Sequence, residues 1–201
     1  LKLADAVALT TSLCLMAAST TAAAAGDLLI NGVEVGASLA SDDVLSSASA
    51  SGSAIAKAAA INRVSAQSGV VATVGQTTKY GATQSLQNAE SGTIAINGVS
   101  TATIYVTTDK AVSRQAVVRA INAISSQTGV QAIDTNDDNH GVVLVAADGR
   151  NVNVALTTLT AGNTGLANGT AVGTIDLNST VSGQITLDSK VGGNSAVYGF
   201  K

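Results

Sequence analysis

Proline and tryptophan are absent from this chain, and cysteine, histidine and phenylalanine occur once each. Each scarcity closes a route. A lone cysteine, Cys14, permits no internal disulfide. One cysteine and one histidine cannot assemble a zinc site. Aromatic residues are 2% of the 201, so a sugar platform built by stacking on Trp or Tyr has little material. Charge is also sparse. Ten basic and thirteen acidic residues leave a net of −3, with no basic block to serve as a nucleic-acid footprint. No apolar run reaches the roughly 20 residues of a membrane-spanning helix. Without proline, the turns fall to Gly, Asn, Ser and Thr. Such a composition is closer to an exported, repetitive assembly protein than to most cytosolic enzymes.

What is present is mostly small. Hydrophobic residues make up 46%, largely Ala and Val, which bury less surface per side chain than Leu or Phe. The length suits one or two domains with thin, layered cores that gain support from neighbouring modules or subunits. The N-terminal stretch 1–25 is an apolar lead-in with two readings. Lys2, the apolar run 6–18 and the alanines at 22–25 have the layout of a secretory signal peptide, although Asp5 interrupts it. Otherwise the stretch is a strand or helix packed on the first module.

The informative feature is an internal duplication. Ile-Asn-Gly-Val occurs at 30–33 and again at 96–99. Each Asn-Gly pair, Asn31-Gly32 and Asn97-Gly98, predicts a tight hairpin turn, because both central residues of a type I′ turn need positive φ. Residues 28–30 then pair with 33–35, and 93–96 with 99–106. A helix follows in each copy. Over 53–67, Ala54, Ala58, Ile61 and Val64 share one face; over 113–127, Val117, Ala120, Ile121 and Ile124 do. Ser113 is placed to cap the second helix. Lys57 stands where the second copy has Val117, and its stem can cover apolar surface while its charge reaches water. Arg63 and Arg119 point outward and Arg114 flanks the stripe. Each helix runs into Gly-Val, at Gly69 and Gly129, the signature of a left-handed stop.

Strands follow at 70–74 in the first copy and at 130–133 in the second. In the second copy, 142–147 then pairs with 151–156 across Asp148-Gly149. Asn62 and Asn122 stand 60 positions apart, as do Gly69 and Gly129, whereas Asn31 and Asn97 stand 66 apart. The extra residues fall in the Ser/Ala-rich stretch 41–53, where a loop insertion belongs. The architecture expected is α+β: a first module at 26–90, a second in tandem at 91–157, and a β-rich tail at 158–201. Each module is a small sheet with one helix, of the β-β-α-β-β type.

Reactive chemistry is hard to assemble from these residues. A Ser–His–acid triad would have to use His140, which lies in the polar stretch 134–141 that reads as a turn. Asp134, Asn136 and Asp138 have the alternate spacing of a calcium loop. Against this, Asn139 stands where that loop needs Gly, and no Glu occupies its twelfth position. The competing reading is a solvated turn. No phosphate-binding glycine loop occurs. The carboxylate pairs Asp42-Asp43 and Asp137-Asp138 sit in loops. Asn168 and Asn178 begin N-glycosylation tripeptides, a short pattern common by chance. The expectation is no enzyme, no cofactor and no metal.

The order Ile-Asn-Gly-Val, a helix with Ala-Ile-Asn, Ser/Thr-Gly-Val, then a Gly-turn hairpin resembles the "IN" motif of bacterial flagellins and flagellar hook-associated proteins. The second copy matches best, at 96–99, 116–122, 128–130 and 141–147. The first keeps 30–33, 59–62 and 68–70, with a blurred hairpin after them. Two copies cover about two thirds of the chain. Asn31, Gly32, Asn62, Gly69, Asn97, Gly98, Asn122 and Gly129 carry the likeness as structural positions.

The resemblance implies the surface-exposed domain of a flagellin subunit, extracellular and in the flagellar filament. It implies copies of itself as partners, no nucleic acid or membrane, and O-linked glycans on exposed Ser and Thr. No heptad pattern flanks the motifs, so the terminal coiled coils of a whole flagellin are not represented. Cys14 also departs from the family, whose members usually lack cysteine. A hook-associated or cap protein domain, and a secreted adhesin or carbohydrate-binding module, are the alternatives.

Overall fold

The computed structural model describes residues 19–85, 88–181 and 183–199, together with the backbone of 12–15. The rest of the lead-in, including the apolar start of the suggested signal peptide, lies outside the described residues. In chain order the elements are β1 (Ser12–Leu15), β2 (Leu29–Ile30), β3 (Val33–Glu34), α1 (Ala54–Asn62), the single turn α2 (Ser65–Ser68) and β4 (Val70–Val74). Then come β5 (Thr77–Lys79), β6 (Glu90–Gly92), β7 (Ile94–Ile96), β8 (Val99–Ser100), β9 (Ile104–Val106), α3 (Lys110–Asn122) and the turn α4 (Ser125–Thr128). They are followed by β10 (Gln131–Asp134), β11 (Val142–Ala146), β12 (Val152–Leu156), the turn α5 (Ala161–Thr164), β13 (Gly169–Ala171), β14 (Ile175–Ser179) and β15 (Leu187–Asp188). All pairings are antiparallel and fall into several small sheets, an α+β fold.

The chain divides into two units, but not in tandem. One unit is 1–76 together with 172–201; the other is 77–171. The second unit is therefore inserted in the sequence of the first, between β4 and β14. Register shows why. In the inner unit Ala132 of β10 faces Leu144 of β11, and Ile96 of β7 faces Val154 of β12. In the outer unit Ala72 of β4 faces Leu177 of β14, and Ile30 of β2 faces Leu187 of β15. So β14 and β15 are the counterparts of β11 and β12. Of the stretch 158–201 expected to be a separate tail, 172–201 completes the first module, while 158–171 stays with the second through β13 on β12; of the expected first module 26–90, residues 77–90 also belong to the second unit. Each unit also has an edge strand along its fourth strand, β1 on β14 and β5 on β11.

Each unit has its own core, because each helix buries its stripe on its own sheet. Ala54, Ala58, Ile61, Val70, Ala72, Ile175, Leu177 and Ile185 form one cluster. Val117, Ile121, Val130, Ala132, Val142, Leu144 and Val152 form the other. Fully buried Val117 and Ile121 each contribute about 1.5 to 3 kcal/mol of transfer free energy.

Local differences from the sequence reading have local causes. The helices do not run unbroken through 67 and 127. They tighten where Val64 N–H donates to Ile61 and Ile124 N–H to Ile121, then restart as one turn. The second helix begins at Lys110, since Asp109 is its N-cap and accepts from Val112 N–H at 3.0 Å. Ser113 instead lies buried in the first turn, where its hydroxyl accepts from Thr107 N–H. The strand expected to run to 106 ends at Ser100; Ile104–Val106 pairs with Glu90–Gly92 and turns Ile104 and Val106 into the core beneath α3. Lys57 does not reach water, because α1 is buried nearly all round.

Candidate functional site

The repeated asparagines are the most specific polar groups in the molecule. Asn31 and Asn97 both have φ of 51°, followed by Gly32 at 79° and Gly98 at 84°. This backbone is strained for most side chains and tolerated by Asn and Gly. The turn aims each Asn side chain back at its own unit. Asn97 Nδ2 donates to Thr128 O at 3.1 Å and its Oδ1 accepts from Asn153 N–H at 2.9 Å. Asn31 Nδ2 donates to Ser68 O at 2.7 Å and its Oδ1 accepts from Thr186 N–H at 2.8 Å. One residue thus ties the hairpin, the end of the helical segment and the segment paired alongside that hairpin. The carbonyls it caps lie at a helix C-terminus, where no intrahelical donor reaches them; Thr128 O also accepts from Arg150 Nη1 at 3.1 Å.

Asn62 and Asn122 act on the strand that follows. Asn122 Oδ1 accepts from Ala132 N–H at 2.8 Å while Nδ2 donates to Ala132 O at 3.0 Å. Asn62 does the same to Ala72, at 2.8 and 2.9 Å. β4 and β10 are edge strands. A side-chain amide that both accepts and donates imitates the peptide of a further strand, so each Asn closes one site on an otherwise open edge. Gly69 and Gly129, at φ 67° and 70°, end the helical segments. The preceding Ser68 and Thr128 hydroxyls accept from Val70 and Val130 N–H. Thr164-Gly165-Leu166 repeats this stop after α5.

The acidic loop is built around a guanidinium. Arg114, 4% exposed, donates through Nε to Asp134 at 2.8 Å and through Nη1 to Gln84 at 2.7 Å, and also pairs with Asp138. Lys110 reaches Asp138 at 3.0 Å. The Lys110 and Arg114 bonds hold the Asp138 carboxyl below its usual range. Two of the three calcium candidates, Asp134 and Asp138, thus already face protein cations. Asn136, at φ 56°, donates its N–H to Asp134. His140 pairs with Asp137 on the exposed side of this loop. The Asn139 N–H, and then His140, hold the Asp137 carboxyl low. Among the described residues no group of three or more His, Cys, Asp or Glu converges.

In the outer unit, Lys57 is fully buried and its Nζ donates to the carbonyls of Ser19 and Val197, the latter at 2.6 Å. Burial pushes its ammonium down to about 8. Tyr198 is also fully buried, with no hydrogen-bond partner for its hydroxyl among the described residues, and burial raises its pKa. Neither glycosylation tripeptide is a free loop: Asn168 Oδ1 accepts from Leu156 N–H, and Asn178 lies in β14 between β1 and β4. The surface carries one shallow groove of about 400 Å³ between β9 and α3 and another of about 350 Å³ beside Gly129.

Sequence reasoning placed every repeated Asn and Gly at a matched position. It missed the Arg114 network and the nested order. The signal for the latter was available: the alternating apolar residues Ile175, Leu177, Ile185 and Leu187 keep the spacing of Val142, Leu144, Val152 and Val154. Neither a scan against protein-family models nor a search of curated proteins returns a match to this chain.

Proposed function

We propose that this chain is a structural domain exposed on the outside of a flagellin-type filament, outside the cell. The observation that carries the reading is the equivalence of the two asparagine clamps. The side chains of Asn31 and Asn62 make, bond for bond, the contacts of Asn97 and Asn122, and Gly69 ends its helical segment in the same left-handed conformation as Gly129. Polar residues were kept twice for scaffolding, while the groups able to do chemistry are dispersed. Lys57, Arg63, Lys110, Arg114, Arg150 and Lys190 face carboxylates or carbonyls, and the single histidine sits at a surface turn. Among the described residues no helix is long and apolar enough to cross a membrane. Modules pinned by paired asparagine clamps, with Ser/Thr-rich loops, suit a spacer that projects from a polymer and presents hydroxyls for O-glycosylation.

An antiserum against the chain tests this on filaments sheared from the source cells. Immunogold labelling along the whole filament is the expected result. Labelling confined to the hook junction or tip assigns the chain to a hook-associated or cap protein. Unlabelled filaments overturn both.

A further inference from the structure

Asn-Gly occurs three times in the chain, at 31–32, 97–98 and 168–169. The pair is chemically labile. The glycine nitrogen can attack the side-chain amide carbon of the asparagine and close a succinimide ring, because glycine has no Cβ to obstruct the approach.

The fold treats the three pairs differently. Asn31 and Asn97 sit in left-handed turns with both amide atoms engaged. Nδ2 donates to the Ser68 or Thr128 carbonyl, and Oδ1 accepts from the Thr186 or Asn153 N–H. The amide carbon is pinned from two sides. Asn168 is exposed and outside the left-handed region. Its Oδ1 accepts from Leu156 N–H at 2.6 Å, and its Nδ2 has no partner among the described residues.

The nucleophile at Asn168 is equally unobstructed. Gly169 is exposed, and a Cβ built there would meet nothing within 4 Å. It is the first residue of β13, a strand of three residues at the edge of its sheet, where it pairs with Val154. A terminal rung on a short edge strand opens more readily than any inner one. The bond from Leu156 favours the reaction. As the Gly169 nitrogen adds to Cγ, negative charge gathers on Oδ1, and a backbone N–H aimed at that oxygen stabilises it. The Oδ1 atoms of Asn31 and Asn97 have such a donor too, so the nitrogen separates the three: only at Asn168 is the leaving group free.

We propose that Asn168-Gly169 is a self-modification site, at which the folded chain deamidates while the two clamped pairs are preserved. The bond from Gly169 N to Asn168 Cγ forms and the Cγ–Nδ2 bond breaks. Ammonia leaves with the proton shed by the Gly169 nitrogen. Water then opens the succinimide, at Cγ to give aspartate or at the main-chain carbonyl to give isoaspartate. Either product adds a negative charge beside β12. Isoaspartate also inserts a carbon into the main chain ahead of β13. That shifts Gly169 and Thr170 against Val154 and Asn153 and breaks the bond from Asn153 Nδ2 to Thr170 Oγ1. The inference does not depend on the filament reading.

Peptide mapping by mass spectrometry tests it on the 201-residue chain, held in warm, mildly alkaline buffer with and without urea. In the folded chain, with its circular dichroism unchanged, Asn168 is expected to deamidate about fivefold faster or more than Asn31 and Asn97, since those side chains give up one hydrogen bond more. In urea the three rates are expected to converge. Asn168→Gln, whose longer side chain closes a ring poorly, is expected to leave the folded chain without the product. Equal rates at the three pairs in the folded chain overturn the proposal, as does an Asn168 that stays intact while the unfolded chain reacts.

Discussion

Replacing Asn122 with Ala tests the edge-closing role directly. The amide makes two hydrogen bonds to one residue, Ala132, whose backbone lies at a sheet edge and which is 5% exposed. Each such bond contributes about 1 kcal/mol net, and a buried group left unpaired costs about 1 to 3 kcal/mol. Asn122 itself is exposed, so water reaches part of the vacated site and the lower figure applies. Alanine is the better helix former by about half a kcal/mol, which offsets a little of the loss. The expected destabilisation is about 2 kcal/mol, a factor of about 30 in the folded-to-unfolded ratio. Urea titration followed by circular dichroism measures it, and amide exchange at Ala132 locates it. Asn62→Ala in the outer unit is expected to match within about 0.5 kcal/mol, because its bonds are the same length within 0.1 Å. Asn122→Asp keeps the acceptor and loses the donor, and falls between. A loss below about 0.5 kcal/mol, with Ala132 still protected, would refute the role.

Four further outcomes follow from the same geometry. Gly129→Ala, at φ 70°, is expected to lower stability by at least about 1 to 2 kcal/mol in urea titration, from the left-handed backbone, with a further loss because the new Cβ displaces the Arg150 guanidinium. Lys57, depressed to about 8 from the ordinary 10.5, makes the unfolded chain the better proton binder between those values, so stability rises with pH in that window. The gain is about 1 to 3 kcal/mol by pH 10, above which buried Tyr198 begins to oppose it; the urea midpoint of Lys57→Met stays flat by comparison. Arg114→Met strands Gln84 and Asp134 and is expected to cost about 3 kcal/mol by urea titration. It also flattens the loss of stability in acid, which in the wild type appears as pH falls below the ordinary carboxylate value toward the depressed values of Asp137 and Asp138. Calcium at about 1 mM is expected to leave the wild-type melting temperature unchanged, because Arg114 and Lys110 already hold the loop carboxylates.

The two Asn-Gly turns, the helix stripes and the glycine stops were legible because each is a short-range requirement. A positive φ at Asn97 and Gly98, or at Gly129, is a property of the residue and its immediate neighbours. The helix breaks after Asn62 and Asn122 were not, since the apolar spacing runs on through Val64 and Ile124 and only the strand beneath decides where the amide must turn. Arg114 was read as flanking the stripe; its burial depends on Asp134, Asp138 and Gln84 arriving from other segments. Lys57 was read as snorkelling, and the backbone carbonyls of Ser19 and Val197 closed over it instead.

Taken alone, the order of residues determined which pieces exist: two hairpins, two helices and two left-handed stops, in a chain poor in reactive groups. Tertiary structure decided which strand completes which sheet. Short strands of alternating Val, Ile and Leu can pair with any like neighbour, so it took register, through Leu177 on Ala72 and Leu187 on Ile30, to carry the last thirty residues back to the first module.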